Sequence, residues 1–172
     1  MLELLNINDF DAVYDIMQQS FPSDEYRPYE EQKSLFKNNE YRILASRDND
    51  NNIIAFIALW KFDLFVYIEH FAVSPLFRNA GIGSLILKDV ADMYGNSLCL
   101  EVEPPDDALS LRRIEFYKRC GFYLNDYPYV QPPISKGKKE VPLMIMTYGK
   151  TIDNKEFDTM QKLLYKKVYN VM

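Results

Sequence analysis

An apolar strand that runs into a glycine-bearing loop and then a helix is the feature that most narrows the folds open to this chain. Leu64 to Val73 reads as a strand, and Ser74-Pro75 breaks it. Arg78-Asn-Ala-Gly-Ile-Gly-Ser84 follows as a short loop, and helical periodicity continues through Leu85, Ile86, Val90 and Met93 until Gly95. The first N–H groups of a helix have no intrahelical partner and sit at the positive end of its dipole, so such a junction is an anion site. Glycine allows close approach to the backbone, and the Arg78 guanidinium can fork onto phosphate. The chain has only 6 glycines in 172 residues, about half the usual fraction of roughly 7%. Two of them, Gly81 and Gly83, fall in this one loop. There is no third glycine for a dinucleotide fingerprint and no Gly-Lys-Ser/Thr for a Walker loop.

The rest of the chain reads as strands followed by strand–helix alternation. Leu2–Leu5, Tyr41–Ser46, Ile53–Trp60 and Leu64–Val73 are expected strands, the last three an antiparallel meander. Asn8 or Asp9 caps a helix through Val13, Ile16 and Met17, and a second helix runs from Pro28 to about Asn38. Ser97–Val102 is a strand, and Asp106 or Asp107 caps a helix to Cys120 that Gly121 stops. Phe122–Leu124 and Leu143–Tyr148 are short strands, with Tyr127 to Glu140 a long loop between them. Phe157, Met160, Leu164, Val168 and Val171 mark an amphipathic tail helix over about 153–171, whose stripe either covers a sheet edge or pairs two copies as a homodimer. The expectation is one α/β domain over 1–172, with a mixed, mostly antiparallel sheet of six to seven strands flanked by helices.

Composition removes several function classes. One histidine, His70, and two cysteines, Cys99 and Cys120, cannot build a structural zinc framework, so no metal is expected. The net charge of 20 − 25 = −5 offers no phosphate-binding track, which argues against nucleic acid. No apolar run approaches the roughly 20 residues of a membrane span. Without a basic-then-apolar leader, the expected location is cytoplasmic, with both cysteines reduced and buried. Residues 1–31 carry eight acids against one base, Arg27.

Tyr67-Ile-Glu-His-Phe-Ala-Val-Ser-Pro-Leu-Phe-Arg-Asn-Ala-Gly-Ile-Gly-Ser-Leu-Ile-Leu87 closely resembles the central motif of the GNAT superfamily of acetyl-CoA-dependent N-acetyltransferases. Downstream, Leu98-Cys-Leu-Glu-Val102 resembles the family's fifth strand, and Ile114-Glu-Phe-Tyr-Lys-Arg-Cys-Gly-Phe122 its "FYxxxGF" segment. The likeness covers about 60–125. It implies the GNAT fold, with acetyl-CoA as acyl donor and a primary amine of a small molecule or peptide as acceptor. It implies that pantetheine pairs along Phe71, Ala72 and Val73, and that the pyrophosphate sits on Arg78, Asn79, Ala80, Gly81, Ile82, Gly83 and Ser84. Tyr117 takes the place of the tyrosine that protonates the leaving thiolate. The base is left open between Glu69, Glu101 and a water. A strand glutamate that is buried would have its pKa raised, which suits that task. His70 reads as a core histidine. Ser110 and Arg113 depart from the family's usual Asn and Ala on the same helix. Asp24 to Tyr29 and Tyr127 to Pro133 would wall the acceptor site, and carboxylates beside tyrosine faces suit a cation. A non-catalytic acyl-CoA-binding or regulatory module of the same fold is the alternative.

Overall fold

The computed structural model describes residues 2–95 and 97–171. The chain forms two compact units, Met1–Pro22 with Pro28–Leu98, and Ser23–Arg27 with Cys99–Met172.

In the first unit four strands pair antiparallel in chain order: β1 (Leu2–Leu4), β2 (Tyr41–Arg47), β3 (Ile53–Lys61) and β4 (Val66–Val73). Every residue of β3 from Ile54 to Trp60 is buried, which explains its unbroken apolar run in place of alternation. Helix α1 (Phe10–Ser20) lays Phe10, Val13 and Met17 against β3 and β4. Neither expected cap closes α1 through its side chain. Asn6 instead accepts from the Asn8 N–H at 2.9 Å and opens a single 3-10 turn. The Asp9 carboxylate accepts from Arg47 Nη2 at 2.8 Å and has no cap bond. Helix α2 is shorter than expected, Tyr29–Ser34, and a 3-10 turn Leu35–Lys37 completes it. Helix α3 (Ile82–Tyr94) stops before Gly95 as expected but starts at Ile82, inside the stretch expected as loop to Ser84, because left-handed Gly81 is its N-cap. Its buried stripe is Ile86, Leu87, Val90 and Ala91, while Leu85 and Met93 are exposed.

The second unit holds most of β5 (Leu98–Val102), with α4 (Ala108–Arg119), β6 (Phe122–Gln131), β7 (Val141–Tyr148) and α5 (Asn154–Lys167). β7 runs antiparallel between β5 and β6. Asp107 caps α4 by accepting from the Ser110 N–H at 2.7 Å, and these bonds hold its carboxyl below the usual range. Asp153 and Glu156 form a capping box on α5. Every strand pair described within the two units is antiparallel, and among the described residues seven strands with five helices give the expected α/β class.

Two expectations are corrected in this unit. β6 does not end at Leu124 but continues to Gln131, so the long loop shrinks to 132–140. Pro128 made that stretch read as loop. It falls where the register jumps between Asn125 and Tyr129, on a strand with one partner in this unit, so its missing N–H breaks no ladder. Asn125, buried, anchors the irregularity: its Nδ2 donates to Thr147 Oγ1 at 2.9 Å, and its Oδ1 accepts from the Ile152 N–H at 2.9 Å. The tail helix ends at Lys167, not near 171. Val168 is its C-cap, and Asn170 turns left-handed at φ 55°. Its stripe is already covered by its own chain, with Phe157 stacked on Tyr127 at 4.6 Å and the Tyr165 hydroxyl donating to the Val130 carbonyl at 2.5 Å. Cys99 is buried as expected, and burial pushes its thiol up; Cys120 is only half-buried.

Leu164 is fully buried in that stripe. Leu164→Ala is expected to cost about 2–5 kcal/mol of unfolding free energy, measured by urea denaturation. A loss well below about 1 kcal/mol would show that α5 is not part of the folded core.

Candidate functional site

The loop at 78–84 has the geometry of an anion cradle. Asn79 (φ 66°) and Gly81 (φ 76°) are both left-handed, and this double reversal swings the chain into α3. The Leu85 N–H donates to the Gly81 carbonyl at 3.2 Å, and the amides of Ile82 and Gly83 precede this intrahelical ladder. A Cβ built on Gly81 would meet nothing within 4 Å, which leaves room for a ligand at the backbone. The Gly81 requirement is thus conformational, and a side chain there would be strained. Arg78 is exposed, its Nε donating to the Val73 carbonyl at 3.0 Å and its Nη2 to Ser20 Oγ at 3.2 Å. The guanidinium is therefore held over the junction of β4 and the loop, beside the stretch Phe71–Ala72–Val73. These residues fit a diphosphate: convergent amides, a fixed cation and open space.

β4 carries a bulge. Ala58 pairs with His70 and Leu59 with Ile68, so Glu69 is the extra residue. The Glu69 side chain is 1% exposed, and His70 Nδ1 lies 3.5 Å from its Oε2. His70 is a core histidine, packed edge-on against Phe21 with ring centroids 5.0 Å apart, but it also neighbours the candidate base.

In the second unit Tyr117 is buried on α4 between the rings of Phe116 and Phe122. Burial pushes its phenol up to about 12, against a smaller opposing pull from Arg113. It therefore stays protonated near neutral pH. Arg113 itself pairs with Glu103 at 2.7 Å, and Ser110 is buried. Glu101 on β5 is half-buried and accepts from two phenols, those of Tyr129 and of Tyr169, the latter at 2.7 Å. Burial first, then the Glu101 charge, pushes the Tyr129 phenol well above its ordinary value. Tyr129 stands within the expected acceptor wall, but Tyr169 was not foreseen, lying 68 residues from Glu101 with only its i,i+4 spacing from Tyr165 as a signal.

The acidic lip is largely engaged internally. Asp24 accepts from the Lys139 N–H at 3.1 Å. The Lys138 ammonium sits 5.4 Å from the Tyr26 ring centroid and donates to the Ser23 carbonyl. Arg27 is buried and donates from Nη2 to the Val168 carbonyl at 3.0 Å. In the first unit, the Tyr29 hydroxyl donates to Asp11. Among the described residues no three His, Cys, Asp or Glu side chains cluster to hold a metal. No helix among them is long and apolar enough to cross a membrane.

Comparison with known proteins adds an independent line. The whole chain superposes on a Bacteroides thetaiotaomicron protein assigned to the GNAT acetyltransferase family, with TM-score 0.88, 31% identity and coverage of 100% and 99% of the two chains. A ribosomal-protein-S18-alanine N-acetyltransferase from Escherichia coli shares the fold at TM-score 0.62 and 20% identity, covering 90% of this chain and 97% of that one. A dodecameric spermidine N-acetyltransferase from Vibrio cholerae does so at TM-score 0.63 and 14% identity, over 87% and 93%. A search of curated protein sequences finds no match. The sequence model of the acetyltransferase (GNAT) family matches residues 10–122. That span contains the bulged strand, the left-handed cradle and the helix bearing Tyr117, and with the full-length structural match it shows that this chain belongs to the GNAT acetyltransferase family.

Proposed function

We propose that this chain transfers the acetyl group of acetyl-CoA to a primary amine of a small molecule or peptide, by direct attack in a ternary complex. The observation that carries the reading is the Asn79–Gly81 turn, which opens α3 with the helix-start amides of Ile82 and Gly83 beside Arg78. Bound acetyl-CoA supplies the activated thioester carbonyl and a thiol leaving group. Gly81 to Ser84 and Arg78 hold the diphosphate, and Phe71 to Val73 align the pantetheine arm by main-chain pairing. An alkylamine has a pKa of about 10.4 and must lose a proton before it attacks. The buried Glu69 carboxylate takes that proton, directly or through water. Tyr117 holds its proton at neutral pH and gives it to sulfur. Glu101 carries two phenol hydrogen bonds already, so Glu69 is the better base. The fold neighbours named for spermidine and for a protein's alanine both acetylate nitrogen, which supports an amine acceptor.

The reading is tested by thiol release from acetyl-CoA against amines, amino acids and peptides, with mass-spectrometric detection of the acetylated acceptor. Turnover with amines supports it. Stoichiometric acetyl-CoA binding without turnover on any acceptor would instead establish a non-catalytic acyl-CoA-binding module. Tyr117→Phe is expected to lower kcat by about a hundredfold with the KM for acetyl-CoA nearly unmoved. Arg78→Ala is expected to raise that KM about tenfold with little change in kcat.

The Tyr117 phenol also predicts an alkaline sensitivity of stability. Its folded-state value of about 12 lies above the roughly 10 of an unfolded chain, so the unfolded state releases this proton first. The resulting stabilisation is full below about pH 10 and lost as pH rises towards 12. Denaturant titrations at about pH 8 and about pH 11 should show a smaller alkaline loss in Tyr117→Phe than in the parent chain. Equal losses would contradict a buried, neutral phenol.

A further inference from the structure

An exposed guanidinium binds an anion well only if it is already held in place. A mobile arginine gives up its rotamer freedom on binding, and that loss comes off the affinity. Arg78 is exposed, yet two acceptors within the first unit fix it. The first, the Val73 carbonyl, lies five residues back in the chain and takes Nε at 3.0 Å. The second, Ser20 Oγ, lies 58 residues away and takes Nη2 at 3.2 Å. Together they use the Nε–Nη2 edge of the guanidinium. The Nη1–Nη2 edge is the other fork, and its geometry matches two oxygens of a phosphate.

The position of Ser20 suits this task. It is the last residue of α1, and it is half-buried. The helix behind it is anchored through the buried Phe10, Val13, Ile16 and Met17. The residue after it is anchored too. The Phe21 N–H donates to the Met17 carbonyl at 3.0 Å, and the Phe21 ring packs on buried His70 with centroids 5.0 Å apart. The hydroxyl is thus presented from a helix end held on both sides. The last turn of α1 carries no basic residue of its own. Arg78 supplies the cation that the negative end of a helix dipole favours. Nothing in the glycine motif signals this contact, because Ser20 belongs to a different element.

We infer that Ser20 is a positioning residue of the diphosphate site. Its hydroxyl accepts from Arg78 and, with the Val73 carbonyl, holds the guanidinium over the junction of β4 and the loop. The second fork is left for phosphate oxygens. The end of the first helix thereby takes part in binding the cosubstrate. The inference rests on the acetyl-transfer reading above for the identity of the ligand.

Isothermal titration calorimetry of the full chain with coenzyme A tests it through a double-mutant cycle. Ser20→Ala should weaken coenzyme A binding about threefold. Ser20→Thr, which keeps the hydroxyl, should recover most of that loss. In an Arg78→Ala background, Ser20→Ala should have no further effect. A Ser20 that only supported the fold would weaken both backgrounds alike, and that result would overturn the inference. Unchanged affinity in a folded Ser20→Ala variant would overturn it as well. In kinetics, Ser20→Ala should raise the KM for acetyl-CoA about threefold with kcat little moved. The Ser20 effect on coenzyme A binding, with no turnover on any acceptor, would uphold this role and reject acetyl transfer. Turnover on amines with an unaltered KM for acetyl-CoA in Ser20→Ala would do the reverse. A parent chain that does not bind coenzyme A would overturn both.

Discussion

The left-handed turn at Asn79–Gly81 is the constraint on which the candidate chemistry of the first unit depends. Helix α3 must start from the short loop that follows β4, and its first amides must face outward without a side chain in front of them. Gly81 at φ 76° meets the first demand at no steric cost and the second by having no Cβ. Arg78 is fixed at the same junction by the Val73 carbonyl and Ser20. The proposed anion site is therefore backbone and one guanidinium, which fits a chain with one histidine and two cysteines in an acetyltransferase family. The activated group comes with the cosubstrate, and the protein supplies binding and orientation.

A second organising feature is the tethering of the second unit around Glu101. The β6 irregularity at Asn125–Tyr129 is braced by the Asn125 bonds to β7 and to Ile152. The same stretch presents Tyr127 to Phe157 and the Tyr129 hydroxyl to Glu101. The tail after α5 turns at Asn170 and leaves Tyr169 on the other carboxylate oxygen. Residues far apart in sequence thus converge on one half-buried charge, and burial keeps the Tyr129 phenol in its neutral, donating form.

Local signals were legible in the sequence. Asp107 as a cap, Gly95 and Gly121 as stops, and the glycine loop all act through neighbours within a few residues, and each sits where its chemistry indicates. What was misread depends on partners distant in the chain. Pro128 argued for a loop because edge position and register are not local properties. The bulge at Glu69 left no local signal, because it is set by pairing with β3. Leu85 and Met93 matched a helical stripe, yet the buried face is turned towards Ile86, Leu87, Val90 and Ala91. Nor does spacing show the partners found by the acidic stretch 1–31, Asp9 with Arg47, Asp11 with Tyr29 and Asp24 with the Lys139 amide.

The most direct measurement is an amide chemical-shift titration of the isotopically labelled chain with coenzyme A. If the helix-start amides hold the diphosphate, saturable shifts concentrate at Gly81, Ile82, Gly83 and Ser84, with a second group at Phe71 to Val73. Saturable binding that leaves those amides unmoved, or no binding at all, would contradict the account.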